Sequence, residues 1–434
     1  MRLSAPTLYA VALGLTAIPP ALAASDKDIA ALRQEMNALR GDYESKIQDL
    51  ERRLQQAEQR TSAQPDPAVA PAPAPSAPAS ANAFNPAISV ILNGSYAMSE
   101  NDPSTARVAG FALGEEGGRA DRGFSLGESE LAISANVDQE FLANLIVAIG
   151  GDGQIGVEEG YIQTTNLPWG FTAKAGRFFS GIGYLNEKHA HTWEFSDAPL
   201  PYRVMLENQY GDDGVELRWL APTDFFLEFG AEWFRGDAFP AGGADDNGAG
   251  TVAAFVHAGD DIDESSSFLA GLSYLRTKAL DRDTGGDIFT GSDDLAIASL
   301  VYKWAPNGNP VQTNVTLTGE YFFGREDGSF NSVPLDYERS GFYVQGVYQF
   351  IPGWRIGVRY AGLETDNVPV LLAGSVLDNF GHSPRATSAL LEYRTSEFGR
   401  FRAQYTLDDA GLESDDELVF TYTVSIGAHG AHSF

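Results

Sequence analysis

His189 and His191 are separated by a single residue. On an extended segment that spacing turns both imidazoles to one side, which suits zinc or another borderline metal ion. Glu187 and Glu194 are near enough in sequence to add oxygen ligands, and His429 and His432 make a second, looser pair. The sequence holds six histidines and no cysteine, so thiolate metal sites, redox pairs and disulfides are excluded. No serine has a histidine at a spacing that suggests a hydrolytic triad, and the chain is expected not to be an enzyme. A second group is basic. Arg355, Arg359, Arg394, Arg400 and Arg402 fall on the polar face of three alternating segments, with Glu392 and Asp408 as candidate partners.

Charge limits what these groups could serve. The net charge is −30, and all but −1 of it lies in residues 85–434. A surface this acidic argues against nucleic-acid binding, which needs the opposite sign. It suits attraction of cations, or divalent-ion bridging to the lipopolysaccharide and lipid of an anionic outer leaflet.

The elements that position these residues change along the chain. Residues 1–24 read as a secretory signal peptide, with Arg2, an apolar run from Leu8 to Ile18, and Ala21-Leu22-Ala23 before the cut. No later segment approaches the ~18 apolar residues of a membrane-spanning helix. In residues 25–60, Ile29, Leu32, Met36, Leu39, Tyr43, Ile47, Leu50 and Leu54 repeat at heptad spacing with one stutter. So narrow a seam on a polar helix predicts a short coiled coil and a homo-oligomer, a trimer being the expected form. Residues 61–85 are a Pro/Ala-rich linker, extended and semi-rigid.

From residue 86 to 434 the period becomes two. Leu227, Phe229, Ala231 and Trp233 alternate with Glu228, Gly230 and Glu232; Phe401, Ala403, Tyr405 and Leu407 alternate with Arg402, Gln404 and Thr406. Sixteen candidate strands follow, with tight turns after the even-numbered ones. Longer polar connections, at 99–123, 180–211, 237–250, 280–292, 326–338 and 366–383, follow the odd-numbered ones. Short-long alternation is the pattern of an all-β, 16-stranded antiparallel transmembrane β-barrel in a Gram-negative outer membrane, and the even count puts both termini in the periplasm. Aromatics predict two interfacial girdles. Trp169, Phe171, Trp219, Phe225, Trp304, Phe350, Trp354 and Phe398 gather at the short turns; Phe178, Phe179, Trp233, Phe234, Phe322 and Phe323 gather at the long-loop ends.

Leu131–Asp138, Glu158-Glu159-Gly160-Tyr161-Ile162, residues 174–183 and Tyr210–Leu217 resemble the early strands of phosphate-selective porins of the O/P type. The helix-plus-barrel layout also resembles the siderophore porins and the zinc-regulated outer-membrane receptors. Phe434 ends the sequence as the terminal Phe of bacterial outer-membrane barrels does, with His432 where an aromatic is usual. The resemblance implies a passive channel for small polar solutes or ions. It implies that the third external loop, 180–211, folds inward, making Lys188, His189, His191, Glu194, Asp197 and Arg203 constriction residues. Arg355, Arg359, Arg394, Arg400 and Arg402 would line one lumen wall, giving a transverse field. The acidic charge favours a general or cation-leaning pore over a phosphate-selective one. Two alternatives remain open: uptake of zinc or a metal chelate, with His189 and His191 as ligands, and an envelope tether reaching peptidoglycan through the coiled coil.

Overall fold

The structure, a computed structural model, describes residues 86–151, 153–243 and 248–427. The signal peptide, coiled coil, linker, His429–His432 pair and Phe434 lie outside the described residues.

Alternation at period two produces long antiparallel strands. They are β1 (Ala87–Ser99), β2 (Gly123–Ser125), β3 (Ser129–Asn136), β4 (Phe141–Ile149), β5 (Ile155–Thr164), β6 (Phe171–Phe179), β7 (Gly211–Leu220) and β8 (Phe226–Phe234). They continue as β9 (Thr251–Asp263), β10 (Ser266–Asp283), β11 (Ile288–Trp304), β12 (Asn314–Phe330), β13 (Val333–Ile351), β14 (Trp354–Thr365), β15 (Arg385–Ser396), β16 (Gly399–Asp409) and β17 (Asp415–Gly427). Both β2 and β3 pair with β1, so they are one span interrupted at residues 126–128. Because β17 pairs back onto β1, the sheet closes into a 16-stranded antiparallel barrel with no free edge.

The outer surface is apolar. On β16, Phe401, Tyr405 and Leu407 are exposed, while Arg402, Gln404 and Thr406 between them are buried. This inversion of the soluble-protein rule is what a bilayer-facing wall requires. The short-turn girdle is present: Trp169, Trp219, Phe225, Trp354 and Phe398 are all exposed. The girdle expected at the long-loop end is not as drawn. Only Trp233 and Phe323 face outward; Phe178, Phe179, Phe234 and Phe322 are buried inside. Adjacent aromatics within a strand point to opposite faces, which sends Phe234 and Phe322 inward, while Phe178 and Phe179, at the end of β6 where the chain turns into the barrel, are both buried.

Two expected loops are strands. Residues 280–292 and 326–338 mostly extend β10 to β13, joined by Thr284–Asp287 and by Asn331-Ser332. Asn331 and Ser332 both have positive φ (49° and 68°), the backbone of a two-residue hairpin turn. The acidic residues that suggested loops lie partly on the outer face, as Asp336 and Glu338 do. Phe289, Phe330, Leu335 and Tyr337 pack inward, and Arg282, Asp293, Glu326 and Arg339 form a buried ion-pair network.

Candidate functional site

The connection from β6 to β7, residues 180–210, enters the barrel. Its neck is closed by Ser180 N–H donating to Tyr210 O at 3.0 Å. Asn186 reinforces it, donating from Nδ2 to Ser180 O and Tyr210 O, each at 2.8 Å, and accepting Tyr210 N–H at 2.7 Å. Beyond the neck, Gly181 N–H donates to Glu232 of β8 (2.8 Å) and Gly183 N–H to Ser273 of β10 (2.9 Å). Tyr184 N–H donates to Glu320 Oε1 of β12 (2.7 Å). Glu320 also accepts the hydroxyls of Tyr202 (3.0 Å) and Tyr343 (2.6 Å). Gly183 has φ +66°, and a Cβ there would meet Tyr202 Oη at 2.5 Å, so glycine is required at this turn.

Apolar contacts seat the segment. Ile182, Leu185, Trp193, Leu200, Tyr202, Val204, Met205 and Leu206 pack with Leu275, Ile297, Phe322, Tyr343 and Leu363 of the wall. The short helix α1 (Leu200–Met205) is wholly buried there. Each such side chain contributes about 1.5–3 kcal/mol on burial. Buried ion pairs come close to breaking even against desolvation, so burial holds the segment and charge sets its register.

The six residues expected to narrow a pore all lie on this segment, but they face different walls. Glu194 pairs with Arg355 of β14, and Asp197 pairs with Arg359 of the same strand at 2.6 Å. Arg203 lies 3.8 Å from Asp408 of β16 and donates to Gly117 O. Lys188 stacks its ammonium over the Tyr184 ring, 4.5 Å from the centroid. Burial and the charge of Lys303 push its pKa down to about 8. Burial also opposes charge on Glu194 and Asp197. Arg355 outweighs it at Glu194, and Arg359, Gln404 and Arg203 outweigh it at Asp197, so both stay below the usual carboxylate range.

His189 and His191 do come together, with rings 5.8 Å apart and near parallel. Their carboxylates are not the expected ones. Glu187 pairs with Arg218, and Glu194 with Arg355. Instead Glu130 of β3 meets His191 Nδ1 at 2.6 Å, while Glu158 and Glu159 of β5 each approach a His189 ring nitrogen at 3.2 Å. Consecutive residues of a strand point to opposite faces, which hides such a pair from the sequence. Here the ladder to β4 passes from Ile146↔Glu159 to Val147↔Val157, so Glu158 is the extra residue of a β-bulge. Both glutamates thereby reach the same imidazole. Burial disfavours charge on His189, and hydrogen bonds to Glu158 and Glu159 reverse this, raising its pKa well above the ordinary value.

The five arginines gather on β14–β16. Glu392, fully buried, is paired with Arg355 (2.9 Å), Arg394 (2.8 Å), Arg402 (3.0 Å) and Arg400 (3.8 Å). Arg402 also donates to Trp193 O at 2.8 Å, and Arg400 to the carbonyls of His191 and Trp193. Asp408 is not their partner; it pairs with Arg119 and Arg203. A cavity of about 490 Å³ at the short-turn end is lined by Lys188, Glu194, Lys303, Arg394, Glu397 and Arg400, among others. Gly123-Phe124-Ser125-Leu126-Gly127 has the spacing of a hydrolase nucleophile turn. It lies at the break between β2 and β3, where Ser125 Oγ accepts Gly127 N–H at 3.1 Å.

No family model matches the sequence. The barrel is similar to that of a loop-deletion form of OmpT, an outer-membrane protein of Vibrio cholerae. That similarity has a TM-score of 0.51 and 14% identity, over 79% of this chain and 99% of that one. It is equally similar to an anion-selective porin from Comamonas acidovorans, with a TM-score of 0.51 and 12% identity, over 79% and 99% of the two chains. At these identities the likeness is one of fold. A relative in Aquifex aeolicus (strain VF5), an uncharacterised protein, is 30% identical over 388 residues, 82% of this chain and 81% of that one, and the chain belongs to its family.

Proposed function

We propose that the protein is an outer-membrane channel through which small polar solutes and ions diffuse, with residues 180–210 as its constriction. The observation that carries this reading is a closed, outwardly apolar barrel with the long connection 180–210 drawn inside and joined by charge to several walls. Lys188, His189, His191, Glu194, Asp197 and Arg203 then stand along the solute path. Arg355, Arg359, Arg394, Arg400 and Arg402 supply the positive side of a transverse field. Glu130, Glu158, Glu159, Glu228 and Glu232, from β3 to β8, supply the negative side. Carboxylates and guanidiniums on facing walls favour a general polar pore over a phosphate-selective one. In this reading both termini are periplasmic, and residues 25–60 join copies into a homotrimer.

Planar-bilayer recording tests it. Stepwise currents are expected from purified full-length protein, increased by replacing residues 184–207 with a short glycine-serine linker. A folded, heat-modifiable barrel that passes no current in either form contradicts the channel.

A further inference from the structure

The two ring nitrogens of His189 have different surroundings. Nε2 lies 3.2 Å from Glu159 Oε2. Nδ1 lies 3.2 Å from Glu158 Oε2 and 3.5 Å from Glu130 Oε2. An N–H at Nε2 donated to Glu159 leaves the Nδ1 lone pair facing two carboxylate oxygens. Three electron-rich atoms then converge on one point, all within 4.8 Å of one another, and either a second proton on the ring or a metal cation between them relieves the repulsion.

The two nitrogen–oxygen spacings, 3.2 and 3.5 Å, are those of a metal's donors. A tetrahedral ion bound at about 2.0–2.2 Å sets its ligand atoms about 3.3–3.6 Å apart. Outer contacts complete the pattern. Glu159 holds the far nitrogen of His189, and His191 Nδ1 holds the other oxygen of Glu130 at 2.6 Å. Metal sites orient their ligand imidazoles and carboxylates in just this way. The bulge at Glu158 interrupts the ladder, and its result is two neighbouring carboxylates on one imidazole, one toward each nitrogen.

We propose that His189 Nδ1, Glu130 Oε2 and Glu158 Oε2 bind a divalent transition-metal cation, zinc by donor type, with Glu159 and His191 orienting the ligands. The bound ion fastens the crossing segment to β3 and β5. The proposal is independent of the channel reading, since its test measures binding rather than current.

Full-length protein in detergent, stripped with chelator and shown to be heat-modifiable, is titrated with zinc chloride by calorimetry at neutral pH. One saturable site per chain is expected. H189Q and E158Q should weaken it about 100-fold or more, E159Q about 10- to 100-fold, and H382A should leave it unchanged. Absence of saturable binding to the wild type overturns the proposal and leaves a proton at Nδ1. Wild-type affinity in a folded H189Q or E158Q overturns it too. So does calcium binding as tightly as zinc, since that would mark an oxygen site without the imidazole. X-ray absorption of zinc-loaded wild type decides the matter even if a variant misfolds. Imidazole and carboxylate scattering at about 2.0–2.2 Å is expected, and oxygen alone refutes the assignment.

Discussion

The β14–β16 side of the lumen surrounds one buried carboxylate with guanidiniums; the β3–β5 side surrounds imidazoles with carboxylates. Glu392 has four arginine partners. Glu158 and Glu159 have His189 as their ion-pair partner. A guanidinium keeps its charge at any physiological pH, so the first arrangement is permanent. An imidazole, unlike a guanidinium, can give up its proton or exchange it for a metal ion, so the second is conditional. The crossing segment is attached to both, through Glu194 and Asp197 on one side and through His189 and His191 on the other. One side therefore fixes the segment, and the other is free to respond to the medium.

The sharpest way to break this comparison is to remove one charge from each side. Glu392→Gln keeps the shape but leaves buried guanidiniums uncompensated. It should destabilise the barrel by about 3–5 kcal/mol, read as a lower urea midpoint for loss of the heat-modifiable form. Glu158→Gln in chelator-treated protein should cost much less, because His189 can release its proton. Equal losses would show that both sides are permanent ion pairs.

How much of this contrast is visible in the sequence differs by side. The arginines are legible because regular strands obey a period of two: Arg355, Arg359 and Arg402 had to share a face with Glu392. The strand set and the inward connection follow from the same alternation and from the length of 180–211. The His189 partners are illegible for the opposite reason. Glu158 and Glu159 share a face only because of a bulge, and no residue type announces it. Glu187 and Glu194 were nearer in sequence, but Arg218 and Arg355 compete for them at closer range in space. The strand extensions 280–292 and 326–338 were masked by acidic residues that sit on the outer face or inside ion pairs.

Acid should loosen the permanent side only at low pH. Glu194 faces Arg355 and Arg394, with Glu392 opposing; Asp197 faces Arg359 and Arg203. Both carboxyls titrate below their ordinary range when the segment is seated. Their contribution is therefore complete above about pH 4.5 and is lost as the pH falls through the lowered values. Current fluctuations should stay flat from about pH 7 to about pH 5 and rise below about pH 4. Loosening already between pH ~7 and ~5 would show that Glu194 and Asp197 do not anchor the segment.

The smallest effect separates charge that solutes sense from charge that only holds the wall together. Arg394 differs from its neighbours in leaving 44% of its side chain exposed while lining the short-turn cavity. Arg394→Gln leaves Glu392 with three arginines, so stability should change little. In the proposed channel it removes one positive charge from the solute path. The reversal potential in a salt gradient should move toward cation preference, with the permeability ratio changing by less than about twofold. Glu228→Gln, on the opposite wall, should move it the other way. Both shifts should shrink between about 0.1 M and 1 M salt, as the screening length falls from about 10 Å to about 3 Å. A shift of the same sign from both substitutions would mean that solutes pass one wall only and that the transverse field does not act on them.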